Sequence, residues 1–449
     1  MSELIVSVSG VRGVVGESLT PEVALKFAAA WAASAPPGMI LVSRDGRPSG
    51  KMLHAAVIAG LTAAGRSVLD VGIAATPTVG VLVQHYRAAG AIQITASHNP
   101  AEYNGLKLLS PEGRVIPDRA GKEVLERFRS GKFDWVRFNR IGSVETCPDT
   151  ISPHLNAILS TVDVEKISRR RFRVVLDSNH GAGSQLGLAL LKELGCEVVP
   201  RGEIPNGAFE HPPEPLAENL VGICQVVREC QADVGFCQDP DADRLAIIDG
   251  SGRYIGEEYT LALCLYHRLK SRKGPVVTNC ASSRMNQDIA AKYGVPFFRS
   301  PVGEANVVDA MLAHDAVFGG EGNGGPIDPR VVLIRDSFVG MACVLDAMAE
   351  EGCTVADLVA QLPRYAIVKT KMSFPPEKLE AAYQAVTRRF RDGRTDRMDG
   401  LRIDFPNRWV LIRPSNTEPI IRIIAEAPRE EEAMELCESV KQAVTPLID

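Results

Sequence analysis

Read for the alternation of apolar and polar positions, the chain repeats one order of elements three times. Residues 39–43 (Met-Ile-Leu-Val-Ser) are a short apolar run bounded by turn residues, which predicts a buried strand. An Ala/Leu-rich helical stretch follows at 51–65, a second strand at 67–71, a helix at 79–89 and a third strand at 91–94. The order is β-α-β-α-β, with helices long enough to serve as parallel crossovers. It recurs at 174–177, 185–194, 197–200, 218–230 and 233–237, and again at 276–279, 285–293, 296–299, 304–312 and 316–318. Three similar doubly wound α/β units are the economical expectation.

The C-terminal stretch breaks this order. A strand-like run at 367–372, a charged amphipathic helix at 377–390, several alternating strands within 401–427 and a last helix at 430–444 predict an α+β layer. The expected domains are α/β domain I over 1–148, α/β domain II over 149–250, α/β domain III over 251–364 and α+β domain IV over 365–449. A chain of 449 residues fits such a division. Pro363 and Pro375 flank the link to the last domain and suit a hinge.

In open parallel sheets, ligands bind beyond the carboxyl ends of the strands. The loops after the last strand of the three units are polar and Gly-rich: Thr95-Ala-Ser-His-Asn-Pro, Gln238-Asp-Pro-Asp-Ala-Asp-Arg and Gly319-Gly-Glu-Gly-Asn-Gly-Gly. Equivalent placement in three units predicts that they converge on one cleft.

Composition narrows the partners. With Lys+Arg 50 against Asp+Glu 55, the net charge is −5, which argues against nucleic acid or an anionic membrane as the main partner. A small anion remains open, because a few arginines suffice to hold a phosphate. The ten cysteines form no C-x-x-C pair, which suits thiols in a reducing compartment. The first residues have no basic, then apolar, leader pattern, and no apolar run reaches the ~18 residues of a membrane helix. A cytoplasmic protein is expected.

Asp239, Asp241 and Asp243 place three carboxylates within five residues. A unit-charge pair at ~4 Å repels by roughly 4 kcal/mol at an effective dielectric near 20. A hard cation removes that penalty, and all-oxygen ligation suits Mg²⁺ or Ca²⁺; a solvated acidic turn is the alternative. An EF-hand does not fit, since its sixth position is Arg244 and its twelfth Gly250. Ser97 lacks the G-x-S-x-G setting of a hydrolase, and His98 is poorly placed as a base toward its own neighbour. Ser97 is either a phosphoryl carrier facing a metal or part of a polar turn. The turn Arg413-Pro-Ser-Asn-Thr-Glu-Pro, with Arg422 beyond it, suits a phosphate dianion or a surface turn between strands. Glu321 and Asn323 offer groups for sugar hydroxyls in what is otherwise a flexible loop. Asp177-Ser-Asn-His-Gly-Ala-Gly-Ser matches neither a P-loop nor G-x-G-x-x-G, and His180 within it reads as structural.

Taken in order, the motifs Thr95-Ala-Ser-His-Asn-Pro, Asp239-Pro-Asp-Ala-Asp-Arg, Gly320-Glu-Gly-Asn-Gly and Arg413-Pro-Ser-Asn-Thr-Glu-Pro resemble those of the α-D-phosphohexomutase family. The resemblance spans the whole chain. It implies a phosphoserine at Ser97 and one Mg²⁺ held by Asp239, Asp241 and Asp243 with the serine phosphate. It implies Glu321 on sugar hydroxyls, and Arg413, Ser415, Asn416 and Thr417 on the phosphate that is not reacting. Arg12 and Lys107 (in Tyr103-Asn-Gly-Leu-Lys) would lie at the reacting end, Lys107 as acid or base, with Arg244 and His98 supporting the serine loop. The expected reaction interconverts hexose 1-phosphate and 6-phosphate through a bisphosphate, with hexose 1,6-bisphosphate as activator, in a monomer or homodimer. Glucosamine phosphate is the first-choice sugar and phosphomannomutase/phosphoglucomutase activity the second. A metal-dependent phosphatase using Asp239, or a silent sugar-phosphate binder, is a remoter alternative.

Two positions depart from the family pattern. Many members carry S-G-H in the sugar loop, where this chain has Asn323-Gly-Gly325. Where a lysine often precedes Val-Gly, this chain has Pro301, so a basic contact is either absent or supplied by Arg299.

Overall fold

The computed structural model describes residues 3–7, 9–415 and 419–448. The first unit is a seven-stranded sheet in the order Ile5–Ser7, Gly10–Val14, Tyr103–Leu109, Ala91–Ile94, Ile40–Arg44, Val68–Ile73, Val144–Thr146. Its parallel centre is the three strands expected from the apolar runs, crossed by helices Gly50–Ala63 and Thr76–His85. The second and third units are four-stranded. Arg173–Asp177 lies between Glu197–Arg201 and Val234–Gln238, and Val276–Asn279 lies between Phe297–Ser300 and Phe318–Glu321, all parallel.

Each of the first three units carries a return strand that the periodicity did not separate, and the first also adds Ile5–Ser7, Gly10–Val14 and Val144–Thr146 at its edges. After the third parallel strand the chain turns back antiparallel: Ala91–Ile94 into Tyr103–Leu109, Val234–Gln238 into Leu245–Asp249, and Phe318–Glu321 into Gly325–Ile327. The three polar loops are therefore hairpin connections at the carboxyl ends of parallel strands. That geometry fixes both ends of each loop in a sheet ladder. It also puts Lys107 on a return strand, and the neighbouring edge strand Gly10–Val14 carries Arg12 opposite Gly105.

The fourth unit is an antiparallel sheet of Ala366–Ser373, Ile420–Ala427, Trp409–Pro414, Leu401–Asp404 and Arg394–Asp396, backed by helices Leu379–Arg389 and Glu430–Val444. Its inner positions form a core of their own around Ile403, Val410, Ile412, Ile423 and Val440. The first three units instead share one apolar cluster running from Leu41 through Leu176 and Leu261 to Leu362. Helix Ser337–Glu351 runs through it. Most of its faces are apolar and buried, as befits a central helix, and Asp336 caps its start by accepting from Phe338 N and Val339 N at 2.8 and 3.2 Å.

The fourth unit meets the third through Cys280, Trp409, Leu411 and Ile424. Arg402 stacks over the Trp409 ring at 3.8 Å and donates to Cys280 O. Arg284 N and Trp409 Nε1 both donate to Glu426 Oε1, at 2.9 and 2.7 Å. Arg299 belongs to the same contact: it pairs with Asp404 at 2.8 Å and with Gln287 at 2.8 Å. Among the described contacts Arg299 is committed to holding the two units together and does not line the cleft, so it does not stand in for a basic group at Pro301. The ten cysteines are all free thiols. Among the described residues no helix is long and apolar enough to cross a membrane.

Candidate active site

The three hairpin loops and the fourth unit border one cleft of about 700 Å³. Its lining includes Arg12, Ser97, Lys107, Arg244, Glu321 and Arg413, drawn from all four sheets or the loops beside them.

Ser97 is buried and sits at φ +50°, a left-handed conformation that a non-glycine residue adopts only when its surroundings impose it. The constraint comes from Arg47. Its guanidinium donates to Ser97 O at 2.7 Å, Asn99 O at 2.5 Å, Pro100 O at 2.6 Å and Tyr103 O at 3.1 Å, so one side chain gathers the loop's carbonyls. Asp45 neutralises it at 3.2 Å, and the Phe209 ring lies 5.0 Å away. Asp45 Oδ2 also accepts from Thr95 Oγ1 at 2.7 Å, and Thr95 Oγ1 accepts from Ser97 N at 2.9 Å. Asp45 and Arg47 were not singled out from sequence. The available signal was the charged Arg44-Asp-Gly-Arg turn at a strand's carboxyl end.

Ser97 Oγ donates to Asp239 Oδ2 at 2.7 Å. Asp239, Asp241 and Asp243 are fully buried, and one oxygen from each lies within 4.8 Å of the others. Asp239 Oδ1 accepts from the backbone N–H groups of Asp243 and Arg244, both at 3.1 Å. Asp241 Oδ2 accepts from Thr76 Oγ1 at 2.6 Å and Lys107 Nζ at 3.0 Å. Asp243 Oδ2 takes Lys107 at 3.2 Å and Arg335 at 2.5 Å. Asp241 Oδ1 and Asp243 Oδ1 are buried with no hydrogen-bond partner. Two orphaned carboxylate oxygens beside a serine hydroxyl and a third carboxylate form an all-oxygen donor set, the kind that suits a small divalent cation.

The charges are tightly coupled. Burial, reinforced by Asp241 and Asp243, pushes the Asp239 carboxyl well above the usual range. Burial also opposes the ionised Asp241, yet Lys107 and Thr76 outweigh it and hold that carboxyl low. Burial would lower Lys107, but Asp241 and Asp243 more than offset this and keep the ammonium charged. His98 Nδ1 lies 3.3 Å from Ser97 Oγ, closer than its adjacent position in sequence suggested, though farther than Asp239. Burial, then Arg244 and Arg12, drive the His98 imidazolium down to about 3, so the ring is neutral. Arg12 donates to Asn99 Oδ1 at 2.6 Å. Arg244 lies 3.9 Å from Asp243 and 3.8 Å from Glu214, on the rim of the same loop.

In the third unit's hairpin loop, Glu321 is buried. Its Oε1 accepts from Asn279 Nδ2 at 2.7 Å and Gly303 N at 3.1 Å, and its Oε2 from Arg335 at 2.7 Å. Asn323 also lines the cleft, and its buried Oδ1 has no partner. Glu258 sits against this loop, where a Cβ on Gly322 would lie 1.8 Å from its Oε2. Thr76, Glu258, Asn279, Glu304 and Arg335 are brought here by tertiary packing; none lies in a motif that sequence reading marked.

On the fourth unit, Arg413 and Arg422 face the cleft as directly opposed residues of neighbouring antiparallel strands. Ser415 N donates to Ile420 O at 3.0 Å and closes that hairpin. Asn416 and Thr417 lie outside the described residues. His180, read as structural, stays within its own unit: its Nδ1 donates to Ile204 O at 2.8 Å and its Nε2 lies 3.3 Å from Glu210 Oε1.

The chain matches the models of all four domains described as phosphoglucomutase/phosphomannomutase: α/β/α domain I over residues 4–135, II over 152–252, III over 257–365 and the C-terminal domain over 365–443. It is 41% identical, over 96% of both chains, to a phosphoglucomutase/phosphomannomutase of Thermococcus kodakarensis. It is 36% identical, over 95% of both, to a probable phosphoglucosamine mutase of Methanopyrus kandleri. The crystal structure of a phosphoglucomutase/phosphomannomutase family protein from Burkholderia thailandensis superimposes with a TM-score of 0.86 at 25% identity, covering 98% of each chain. Fold, cleft and sequence agree, and the chain belongs to the phosphoglucomutase/phosphomannomutase family of phosphohexomutases.

Proposed function

We propose that this phosphomutase interconverts hexose 1-phosphates and 6-phosphates through a phosphorylated Ser97, with glucosamine phosphate as its preferred sugar. The observation that carries the reading is the contact of Ser97 Oγ with Asp239 inside a cleft that also holds Glu321, Arg413 and Arg422.

In this reading Asp239, Asp241 and Asp243, with the serine phosphate, hold one Mg²⁺. When bound, the ion neutralises the negative charge gathered at the phosphoryl group. The protein's own residues do the positioning. Arg47 fixes the serine loop, and Arg12, Arg244 and neutral His98 surround the phosphate. Lys107, kept protonated by its two aspartates, serves as the proton donor at the reacting end. The Ser97 Oγ–P bond breaks as a sugar hydroxyl forms its O–P bond. Lys107 gives its proton to the departing Ser97 Oγ, and the proton released by the hydroxyl restores the Lys107 ammonium, so the step ends with no net change in protons. The resulting bisphosphate turns end over end, and its other phosphate returns to Ser97. Arg413, Ser415 and Arg422 grip the distal phosphate in both orientations, with Asn416 and Thr417 assigned to the same turn. A hexose 1,6-bisphosphate loads the serine for the first turnover. Asp239 has both oxygens engaged, by Ser97 and by two backbone donors, which disfavours it as the nucleophile of a phosphatase.

Glucosamine is favoured by the carboxyl of Glu258, which lies against Gly322 on the same cleft: burial holds it protonated, and an ammonium substituent would supply the counter-charge that ionises it on binding. The Methanopyrus relative's name points the same way. The second reading, phosphomannomutase/phosphoglucomutase activity, is favoured by the name of the Thermococcus relative at 41% identity. A panel of glucosamine, glucose, mannose and N-acetylglucosamine phosphates assayed for 1→6 interconversion decides between them. A tenfold preference in kcat/KM, about 1.4 kcal/mol, names the sugar.

A further inference from the structure

Arg335 stands just before helix Ser337–Glu351, so the capped start of that helix fixes its backbone, and its own N–H donates to Glu304 Oε1 at 3.1 Å. From there the buried guanidinium reaches both loops of the cleft. One nitrogen donates to Asp243 at 2.5 Å, another to Glu321 Oε2 at 2.7 Å, and Nε lies 3.3 Å from Glu304. Its aliphatic stem fills the space beside Gly325. A Cβ built there would meet Arg335 Cδ at 2.4 Å, Cγ at 2.8 Å and Cβ at 3.0 Å, contacts too close for a real side chain. Position 325 and Arg335 thus compete for one volume, and this chain gives it to the arginine.

We propose that Arg335 is a positioning residue that ties the metal loop to the sugar loop, and that Gly325 is the space it requires. The inference rests on the mutase reading above. A guanidinium serves two carboxylates at once through separate nitrogens, which a point-charge ammonium does not do. By taking Asp243 Oδ2 together with Lys107, it leaves Asp243 Oδ1 as the unpartnered oxygen. By holding Glu321 Oε2, opposite the donors on Oε1, it sets the direction in which that carboxylate meets a sugar hydroxyl.

The test uses the full chain with Arg335→Lys, Arg335→Met and Gly325→Ala. The readouts are kcat and KM on the sugar the wild type prefers, Mg²⁺ affinity by calorimetry, and the thermal midpoint. Arg335→Lys is expected to fold and to lose about tenfold in kcat/KM with a raised KM and weaker Mg²⁺ binding. Arg335→Met loses more of both, and Gly325→Ala reproduces the pair of defects by displacing the arginine. Wild-type KM and Mg²⁺ affinity in either Arg335 variant overturn the proposal, as does a loss confined to the thermal midpoint. A wild type that turns over no hexose phosphate sinks the mutase reading instead, while calorimetry still reports whether Arg335 governs the aspartate cluster.

Discussion

Ser97 Oγ lies 2.7 Å from Asp239 Oδ2, although 142 residues separate the two in sequence. Each sits at the tip of a hairpin in a different unit, and the shared core of the first three units holds the tips together. The Ser97 backbone pays for this placement with a left-handed conformation, which costs on the order of 1–3 kcal/mol and persists because Arg47 over-determines the loop.

Replacing Arg47 with Met should therefore cost about 3–5 kcal/mol, because Asp45 is left buried without its partner and four loop carbonyls lose their donor. Urea unfolding measures it. A loss below about 1 kcal/mol would mean the loop is held by something else.

Mg²⁺ should stabilise the folded protein, because the aspartate trio is mutually repulsive and two of its oxygens lack partners. At a hundredfold excess over its Kd the gain is about 2.7 kcal/mol. Asp239→Asn should remove the Mg²⁺-dependent rise in Tm while leaving the metal-free Tm unchanged or higher, since burial and its neighbours already disfavour ionised Asp239. Melting curves with Mg²⁺ and with EDTA give the comparison. A wild-type Tm indifferent to the ion would refute the metal assignment.

Much of the fold was legible because apolar runs and helical periods are local signals. Ala91–Ile94, Val276–Asn279, Met285–Tyr293 and Glu430–Val444 occupy the residues that patterning assigned to them. The return strands were not legible. Tyr103–Leu109 interleaves Asn104, Gly105 and Lys107 with its apolar residues, and Gly325–Ile327 is only three residues long, so neither shows a clean period. At the site, Ser97 and the aspartates stood out because polar residues crowd one loop. Arg47, Glu258 and Arg335 did not, since each acts on residues 14 to 92 positions away. Only packing reveals such pairs.

Glu258 gives a pH signature. Burial pushes its carboxyl up to about 8 from an ordinary 4.5. Between those values the folded protein keeps a proton that the unfolded chain has lost, so this group makes stability fall as pH rises from about 4.5 to about 8. Glu258→Gln should flatten that slope, seen as a Tm difference between variant and wild type that grows across the window. The same variant should lose preference for glucosamine phosphate over glucose phosphate. An unchanged slope would place Glu258 in a wetter setting than the structure gives it.

Arg413 and Arg422 are opposed across two strands, and like charges so placed destabilise a sheet by roughly 0.2–1 kcal/mol. An anion between them reverses the sign. Arg422→Ala should leave the phosphate-free protein as stable or slightly more so, yet raise KM for the sugar phosphate by about tenfold. Inorganic phosphate should raise the Tm of the wild type more than that of the variant. Equal responses would remove Arg422 from the phosphate site.

The most direct test is to incubate the protein with Mg²⁺ and a hexose 1,6-bisphosphate, then locate the transferred phosphate by intact mass and peptide mapping. One phosphoryl group on Ser97, absent from Ser97→Ala, together with loss of isomerisation in that variant, is the predicted result. Phosphate on Asp239, or a Ser97→Ala protein that isomerises sugar phosphates at the wild-type rate, would contradict it.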